Sequence, residues 1–301
     1  MLTRKQKLML LKFLSLFSVV RGYNVLVITI AQYLASIYIL AHDLPFKQVI
    51  FDGNLFAIVT ASALAIASGY IINSFYDSEK DLINRPKKTM LDRLVSQQTK
   101  ISGYFILNFI SVIFASYVSF RAVVFFSLYI FGIWFYSHKL KKIPFLGNVV
   151  SATLAIAPFF AVFIYYKNFD LVIFVHAMFL FLIILIREMV KDLENITGDI
   201  ANNYKTIPIV YGEKFSKYVI TFFTLLTLIP TYLLINKFEV GYMYIYFYAC
   251  FALLIIFLIL IWKSSTKQHY LILHNILKFI IVSGVFSILL IDVNLVLNKI
   301  R

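Results

Sequence analysis

Nine long apolar runs, roughly 17–40, 55–75, 103–120, 123–136, 145–166, 171–186, 218–235, 242–261 and 277–297, leave few folds open to this chain. About 20 mostly apolar residues cross a bilayer as a helix. The runs are continuous, which excludes a transmembrane β-barrel, whose strands alternate over about 10 residues. The fourth and sixth runs are short, so their helices are expected to continue into flanking polar residues. Composition agrees: 61% of the 301 residues are hydrophobic and 14% charged, against about 45–50% and 25% in soluble domains. The 31 Phe and 20 Tyr exclude disorder. The single cysteine, Cys250, excludes a disulfide framework and a Cys-rich metal site. The first run is too long for a signal-peptide core and holds Arg21 and Asn24. The expected fold is all-α, a polytopic membrane bundle of nine transmembrane helices forming one domain over residues 1–301.

Lys and Arg number 28 against 14 Asp and Glu, a net charge of +14. In a chain this apolar, that excess points to basic loops on the cytoplasmic side of a membrane rather than to nucleic acid. With the N-terminus inside, those loops collect Arg4, Lys5, Lys7 and Lys12, then Lys80 to Lys100, Lys139 to Lys142, Arg187 to Lys217, and Lys263 to Lys278. The opposite side keeps only Lys47, Arg121, Lys167, Lys237, Lys299 and Arg301. The asymmetry predicts a multi-pass protein of the cell (inner) membrane, N-terminus cytoplasmic and C-terminus outside.

Half of the acidic residues fall in two short windows on that cytoplasmic side. In the first, Asn73, Asp77, Asp81 and Asn84 are spaced to share one helix face, and Pro86 limits the helix because Arg85 before it disfavours αR. In the second, Glu188, Asp192, Asn195 and Asp199 share a face, with Gly198 marking a helix end that leaves Asp199 on a loop. A single acidic stripe at a helix end is ordinarily a solvated surface. Two matching stripes beside apolar helices point to a cation held between carboxylates, and oxygen ligands suit Mg²⁺ with a phosphate-bearing substrate. Arg85, Lys87, Lys88, Lys191, Lys139 and Lys141 stand near enough to take up a leaving diphosphate's charge. For Lys87, Lys88 and Lys142 the simpler role is a membrane anchor. Arg21 and Asn24, one turn apart, favour a pocket role. Core packing accounts for Phe159 and Phe160 unless they line a carbocation pocket, and a buried, hydrogen-bonded histidine accounts for His176.

These motifs resemble the UbiA superfamily of intramembrane prenyltransferases. Asn73, Asp77 and Asp81 resemble its NxxxDxxxD motif, followed by Asn84-Arg85-Pro86. Tyr136 to Asn148 resembles its YxxxLK and P-x-LGN stretch, and Lys191 to Asp199 with Lys205-Thr206-Ile-Pro208 its second Asp-rich motif. Arg21 and Asn24 match its first-helix RxxN. The resemblance implies Asp77, Asp81 and Asp199 as magnesium-holding, catalytic carboxylates, and Asp192, on the same face as Asp199, is expected to join them. The resemblance also implies a polyprenyl diphosphate donor bound by Arg21, Asn73, Tyr136, Ser137 and Lys141. Asn24, Asn84, Arg85, Lys191 and Asn195 complete the substrate set. Ionisation would give an allylic cation, captured by a nucleophilic acceptor, with the isoprenoid tail among the helices.

One departure stands out. Asn195 occupies a place where the family has a carboxylate. Either Asp192 and Asp199 carry the second site's charge, or that site binds weakly. The run from Arg187 to Gly212 looks most like the branch that geranylgeranylates geranylgeranylglyceryl phosphate in ether-lipid synthesis. The alternatives are an aromatic or quinone-precursor acceptor and, without catalysis, a transporter or a lipid-diphosphate binder.

Overall fold

The computed structural model describes residues 4–292, and every regular element among them is helical. Nine of these described helices are long and apolar enough to cross a membrane: Gly22–Leu40, Gly53–Tyr76, Gln97–Val118, Phe120–Lys142, Leu146–Tyr166, Leu171–Glu194, Glu213–Asn236, Gly241–Lys263 and Lys267–Leu290. They follow the nine apolar runs in order and are called the first to ninth spans. The fourth and sixth do extend past their apolar runs, the sixth as far as Glu194. The last part of the ninth run, with Lys299 and Arg301, lies outside the described residues.

The first run is not one helix. A separate helix, Arg4–Val19, precedes the first span, and Arg21 between them takes the left-handed conformation at φ 49°, ψ 52°. A non-glycine residue there costs roughly 1–2 kcal/mol, so no periodicity rule predicts the break. Arg21 thus stands at a junction rather than within the first helix. The Arg4–Val19 helix lies against the short helix Pro86–Asp92. Ser15 Oγ donates to Leu91 O at 2.7 Å, and Ser18 Oγ to Asp92 Oδ1 at 2.7 Å.

In lipid, helices associate through close packing and hydrogen bonds rather than through the hydrophobic effect. The second span is the most enclosed. Its buried Ala57, Ala61, Ser62, Ala65 and Ser68 let the third and fourth spans approach closely. Ser111 Oγ on the third span donates to Ala61 O at 2.8 Å. Inside the fifth span, Pro158 has no N–H for the carbonyl of Leu154, and Tyr129 of the fourth span donates its hydroxyl to that oxygen at 3.2 Å. Leu185, Ile186 and Val190 of the sixth span are buried in one apolar core with Leu273, Leu277 and Ile280 of the ninth. Phe105, Phe109, Tyr117, Leu128, Phe222 and Phe279 point outward, the lining expected of a lipid-facing surface.

Two helix breaks shape one end of the bundle. The second span ends at Asp77 (φ −94°, ψ 6°), where Asp77 N still bonds Asn73 O and Asp81 N bonds Asp77 O, so the chain bends into Ser78–Asn84 without losing its ladder. Arg85 leaves the helical region (φ −142°, ψ 61°), as the sequence predicts, and Pro86 opens a further short helix. The sixth span breaks at Asn195 (φ −109°, ψ 12°), and Gly198 lies within the following helix, Ile196–Ala201. Asp199 is therefore helical, correcting the expectation of a stop at Gly198. That glycine serves close approach instead: a Cβ there would collide with the Asn84 side-chain amide. Asn84 Oδ1 accepts from Gly198 N at 3.2 Å and Nδ2 donates to Asn195 O at 3.4 Å, which joins the two acidic windows.

Candidate active site

Asp77 is the centre of a charged cluster where the second span bends. Its Oδ1 accepts from Lys141 Nζ at 2.7 Å and from the Tyr204 hydroxyl at 2.8 Å. Lys141 Nζ also reaches Asn73 Oδ1 at 3.3 Å, and its side chain is only 5% exposed. Burial pushes the Asp77 carboxyl upward, but the charges of Lys141 and Lys80 and the bonds from Lys141 and Tyr204 outweigh it and hold it below the usual carboxylate range.

Asp199 faces this cluster from the second window. It is 0% exposed, and among the described residues no hydroxyl, amide or backbone N–H donates to its carboxylate. Among the described residues its cationic neighbour in contact is Lys80, whose Nζ stands 2.5 Å from Oδ1. Burial pushes the Asp199 carboxyl up, and the attraction of Lys80 offsets this only in part. For Lys80 burial acts downward, yet Asp77 and Asp199 together hold its ammonium above the usual lysine range. The ammonium also lies 4.3 Å from the centre of the Tyr204 ring. The hydroxyl of Tyr204 is pushed up by burial and by the carboxylate of Asp77, which keeps it a donor.

Asp192 sits one turn before the break of the sixth span and accepts from Asn148 Nδ2 of the fifth at 2.8 Å. Asp81, half-buried, has no side-chain ion pair or hydrogen bond among the described residues. Ser137 is buried with its hydroxyl unpartnered, and Tyr136 beside it is half-buried. Lys191 pairs with Glu188 at 2.9 Å. Gly147 lets the loop carrying Lys141 fold back over the start of the fifth span, since a Cβ there would press within 3.0 Å of Leu140 O. Lys205 N donates to Lys142 O at 3.0 Å and fixes the Tyr204 segment to the same loop.

The other expected residues stand elsewhere. Arg21 lies 4.9 Å over the ring of Tyr70, and Asn24 Nδ2 donates to the Tyr70 hydroxyl at 3.2 Å, two turns deeper on the second span than Asp77. Arg85 pairs with Glu194 at 3.0 Å, and His274 Nδ1 lies 3.2 Å from the other oxygen of Glu194. Asn195 turns its amide onto its own helix, at Lys191 O, 2.8 Å away. Asn84, Arg85 and Asn195 thus hold the two windows together. Lys80 and Tyr204 were not legible as site residues, and Asn148 was legible only as the end of the P-x-LGN stretch. The first reads as a loop anchor, and the second carries no charge to mark it.

Among the described residues, no three acidic, histidine or cysteine side chains converge to enclose a metal alone. Magnesium does not require that, since it is usually held through one or two carboxylates plus substrate phosphates. The buried carboxylate of Asp199, held by Lys80, the open carboxylate of Asp81 and Asp192 beside Asn148 fit such an ion. An apolar cavity of about 150 Å³ lies toward the other end of the bundle among Phe159, Phe160, Phe163, His176, Phe179 and Phe247. His176 Nδ1 lies 2.8 Å from Val172 O, while its Nε2 has no partner.

Comparison with known proteins adds to this geometry. A model described as the UbiA prenyltransferase family matches residues 15–296. A digeranylgeranylglyceryl phosphate synthase of Thermococcus sibiricus is 30% identical over 279 residues, covering 90% of this chain and 95% of the relative. The protein of the same name from Thermococcus gammatolerans is 32% identical over 172 residues, 57% of this chain and 62% of the relative. Among solved structures, a study of digeranylgeranylglyceryl phosphate synthase in membranes gives a chain with a TM-score of 0.69 at 22% identity, covering 92% of this chain and 97% of that one. A UbiA homologue from Archaeoglobus fulgidus bound to GPP and Mg²⁺ has a TM-score of 0.66 at 13% identity, covering 91% of this chain and 99% of that one.

Proposed function

The chain belongs to the UbiA prenyltransferase family, and on that premise we propose that it transfers a geranylgeranyl group from its diphosphate to geranylgeranylglyceryl phosphate. Membership makes it a membrane prenyltransferase and sets the transporter reading aside. The choice of lipid acceptor follows the names of the aligned relatives. The observation that carries the chemistry is the meeting of Asp77, Lys141, Lys80 and Asp199 at one bend, two carboxylates and two ammonium groups in buried contact.

Asp77, Asp81, Asp192 and Asp199 are the residues that would hold magnesium. When bound, the ion supplies Lewis-acid charge to the departing diphosphate. Lys141 supports the same departure: its ammonium, fixed by Asp77 and Asn73, is in place before charge develops and needs no reorganisation. Ser137, with an unpartnered buried hydroxyl, offers a further donor. Leaving-group loss breaks the C1–O bond of the donor and gives an allylic cation. The acceptor hydroxyl then forms the new C–O ether bond and releases its proton. The isoprenoid tail runs down the bundle towards the cavity at Phe160 and Phe179, about 18 Å along the sixth span from Asp192 to Leu180 at 1.5 Å per residue. The basic loops support a cytoplasmic position for this end.

The test is diphosphate release from geranylgeranyl diphosphate by detergent-purified protein, with geranylgeranylglyceryl phosphate as acceptor. Release that requires Mg²⁺, the lipid acceptor and Asp77, with Asp77→Asn as the control, is the expected result. Release only with an aromatic acid in place of the lipid would overturn the acceptor assignment.

A further inference from the structure

We propose that Lys80 is a built-in counter-cation that makes metal binding at Asp199 conditional on the donor diphosphate; this rests on the donor reading above. Lys80 belongs to the first turn of Ser78–Asn84, and its side chain is 14% exposed. It reaches inward between the two acidic windows, within 2.5 Å of Asp199 and in the field of Asp77. Its neighbours Lys87 and Lys88 do otherwise: Lys87 is exposed, and Lys88 pairs with Asp92.

Each of the two innermost carboxylates therefore already has a monovalent partner, Lys141 for Asp77 and Lys80 for Asp199. A divalent ion approaching Asp199 meets the ammonium of Lys80 first, and like charges repel strongly in a site shielded from water. Among the described residues Lys80 is the cation in direct contact with the Asp199 carboxylate, and the charge of Lys191 acts on it from farther off. The lysine stem is flexible, and its ammonium is a compact charge suited to phosphate oxygens. When a diphosphate arrives, the ammonium transfers from Asp199 to the diphosphate, and both Asp199 oxygens open to the metal. The Tyr204 ring, 4.3 Å from Nζ, keeps the ammonium beside the site before that transfer. The consequence is an order of binding in which metal at Asp199 follows or accompanies the diphosphate.

The test uses Mn²⁺ as the metal probe and inorganic pyrophosphate as the anion. Free Mn²⁺ is read by electron paramagnetic resonance on the full chain in detergent, with a protein-free titration subtracted for Mn²⁺–pyrophosphate complexes. Wild-type protein is expected to bind Mn²⁺ at least tenfold more tightly with pyrophosphate than without. Lys80→Met is expected to bind Mn²⁺ without pyrophosphate at least tenfold more tightly than wild type, and to lose most of the pyrophosphate effect. Lys80→Arg, which keeps the charge, retains the wild-type pattern and controls for folding. Unchanged or weaker Mn²⁺ binding by a folded Lys80→Met protein without pyrophosphate overturns the proposal while leaving the transferase reading intact. Failure of wild-type protein to bind Mn²⁺ even with pyrophosphate overturns both.

Discussion

The Tyr204 hydroxyl donates to Asp77 Oδ1 at 2.8 Å, tying the segment after the second acidic window to the bend that ends the second span. The same oxygen receives Lys141. Two donors fix one oxygen of Asp77 and leave the other to a ligand. Tyr204→Phe removes one of them. A hydrogen bond to a charged group is worth about 1.5–3 kcal/mol, so kcat/KM is expected to fall roughly tenfold to a hundredfold, with a higher Mg²⁺ requirement. Steady-state kinetics at varied Mg²⁺ check this, and an unchanged Mg²⁺ requirement would count against it.

Lys141 is nearly buried, whereas Lys139, two residues earlier, is exposed. Lys141→Met is expected to lower kcat/KM by roughly 10²–10³, the scale for removing one preorganised electrostatic donor. Lys139→Met should stay within a factor of about two, since surface substitutions usually cost under 0.5 kcal/mol. Parallel assays of the two variants decide whether position or mere basicity matters.

Asp192 and Glu194 separate two roles within three residues. Asp192 faces the site beside Asn148, while Glu194 is buried between Arg85 and His274. Asp192→Asn should therefore cost more activity than Glu194→Gln. Glu194→Gln should lower thermal stability in detergent more than Asp192→Asn, because it removes a buried charge that answers Arg85 and His274. Equal activity losses would remove Asp192 from the metal-holding set.

Gly198→Ala should destabilise the protein by forcing the Asn84 amide away from Gly198 N. On an Asn84→Ala background the same change should cost less, by an interaction of about 0.5–3 kcal/mol for residues in contact. Thermal unfolding of the four members of this double-mutant cycle measures it, and additive effects would show that the contact does not couple the two windows.

Ala177 lines the apolar cavity. Ala177→Phe fills space there and should lower kcat/KM for geranylgeranyl diphosphate more than for geranyl diphosphate. Apolar pocket differences of this size are worth about 1–3 kcal/mol, roughly 10–200-fold. Equal losses for the two donors would place the tail elsewhere.

The spans were legible because their apolar runs are long and their order is unambiguous. The polar ends of the fourth and sixth spans were legible only as an expectation that the helices run on. At the end of the sixth, Asp192 and Glu194 find partners on other elements, and Glu188 on its own helix. The carboxylate pairs were legible through helical spacing. Lys80 was not, because one basic residue among many in a positive loop carries no mark of facing inward. Tyr204 lies in a turn between two motifs, and tertiary bonds, Tyr204 hydroxyl to Asp77 and Lys205 N to Lys142 O, bring its ring over the site. The left-handed Arg21 was equally hidden, since the break belongs to backbone geometry that side-chain pattern does not encode.

The hydroxyl of Tyr129 on the carbonyl of Leu154 bears on how the chain is made. A ribosome delivers the fourth span to the bilayer before the fifth. A lone fifth span would carry an oxygen unanswered because of Pro158, and hydrocarbon charges several kcal/mol for such a group. The fourth span, already inserted, presents the donor as its successor arrives. Biogenesis of this pair is thus that of a helical hairpin entering as a unit, and an insertion-stage defect rather than a catalytic one is the expected phenotype of Tyr129→Phe.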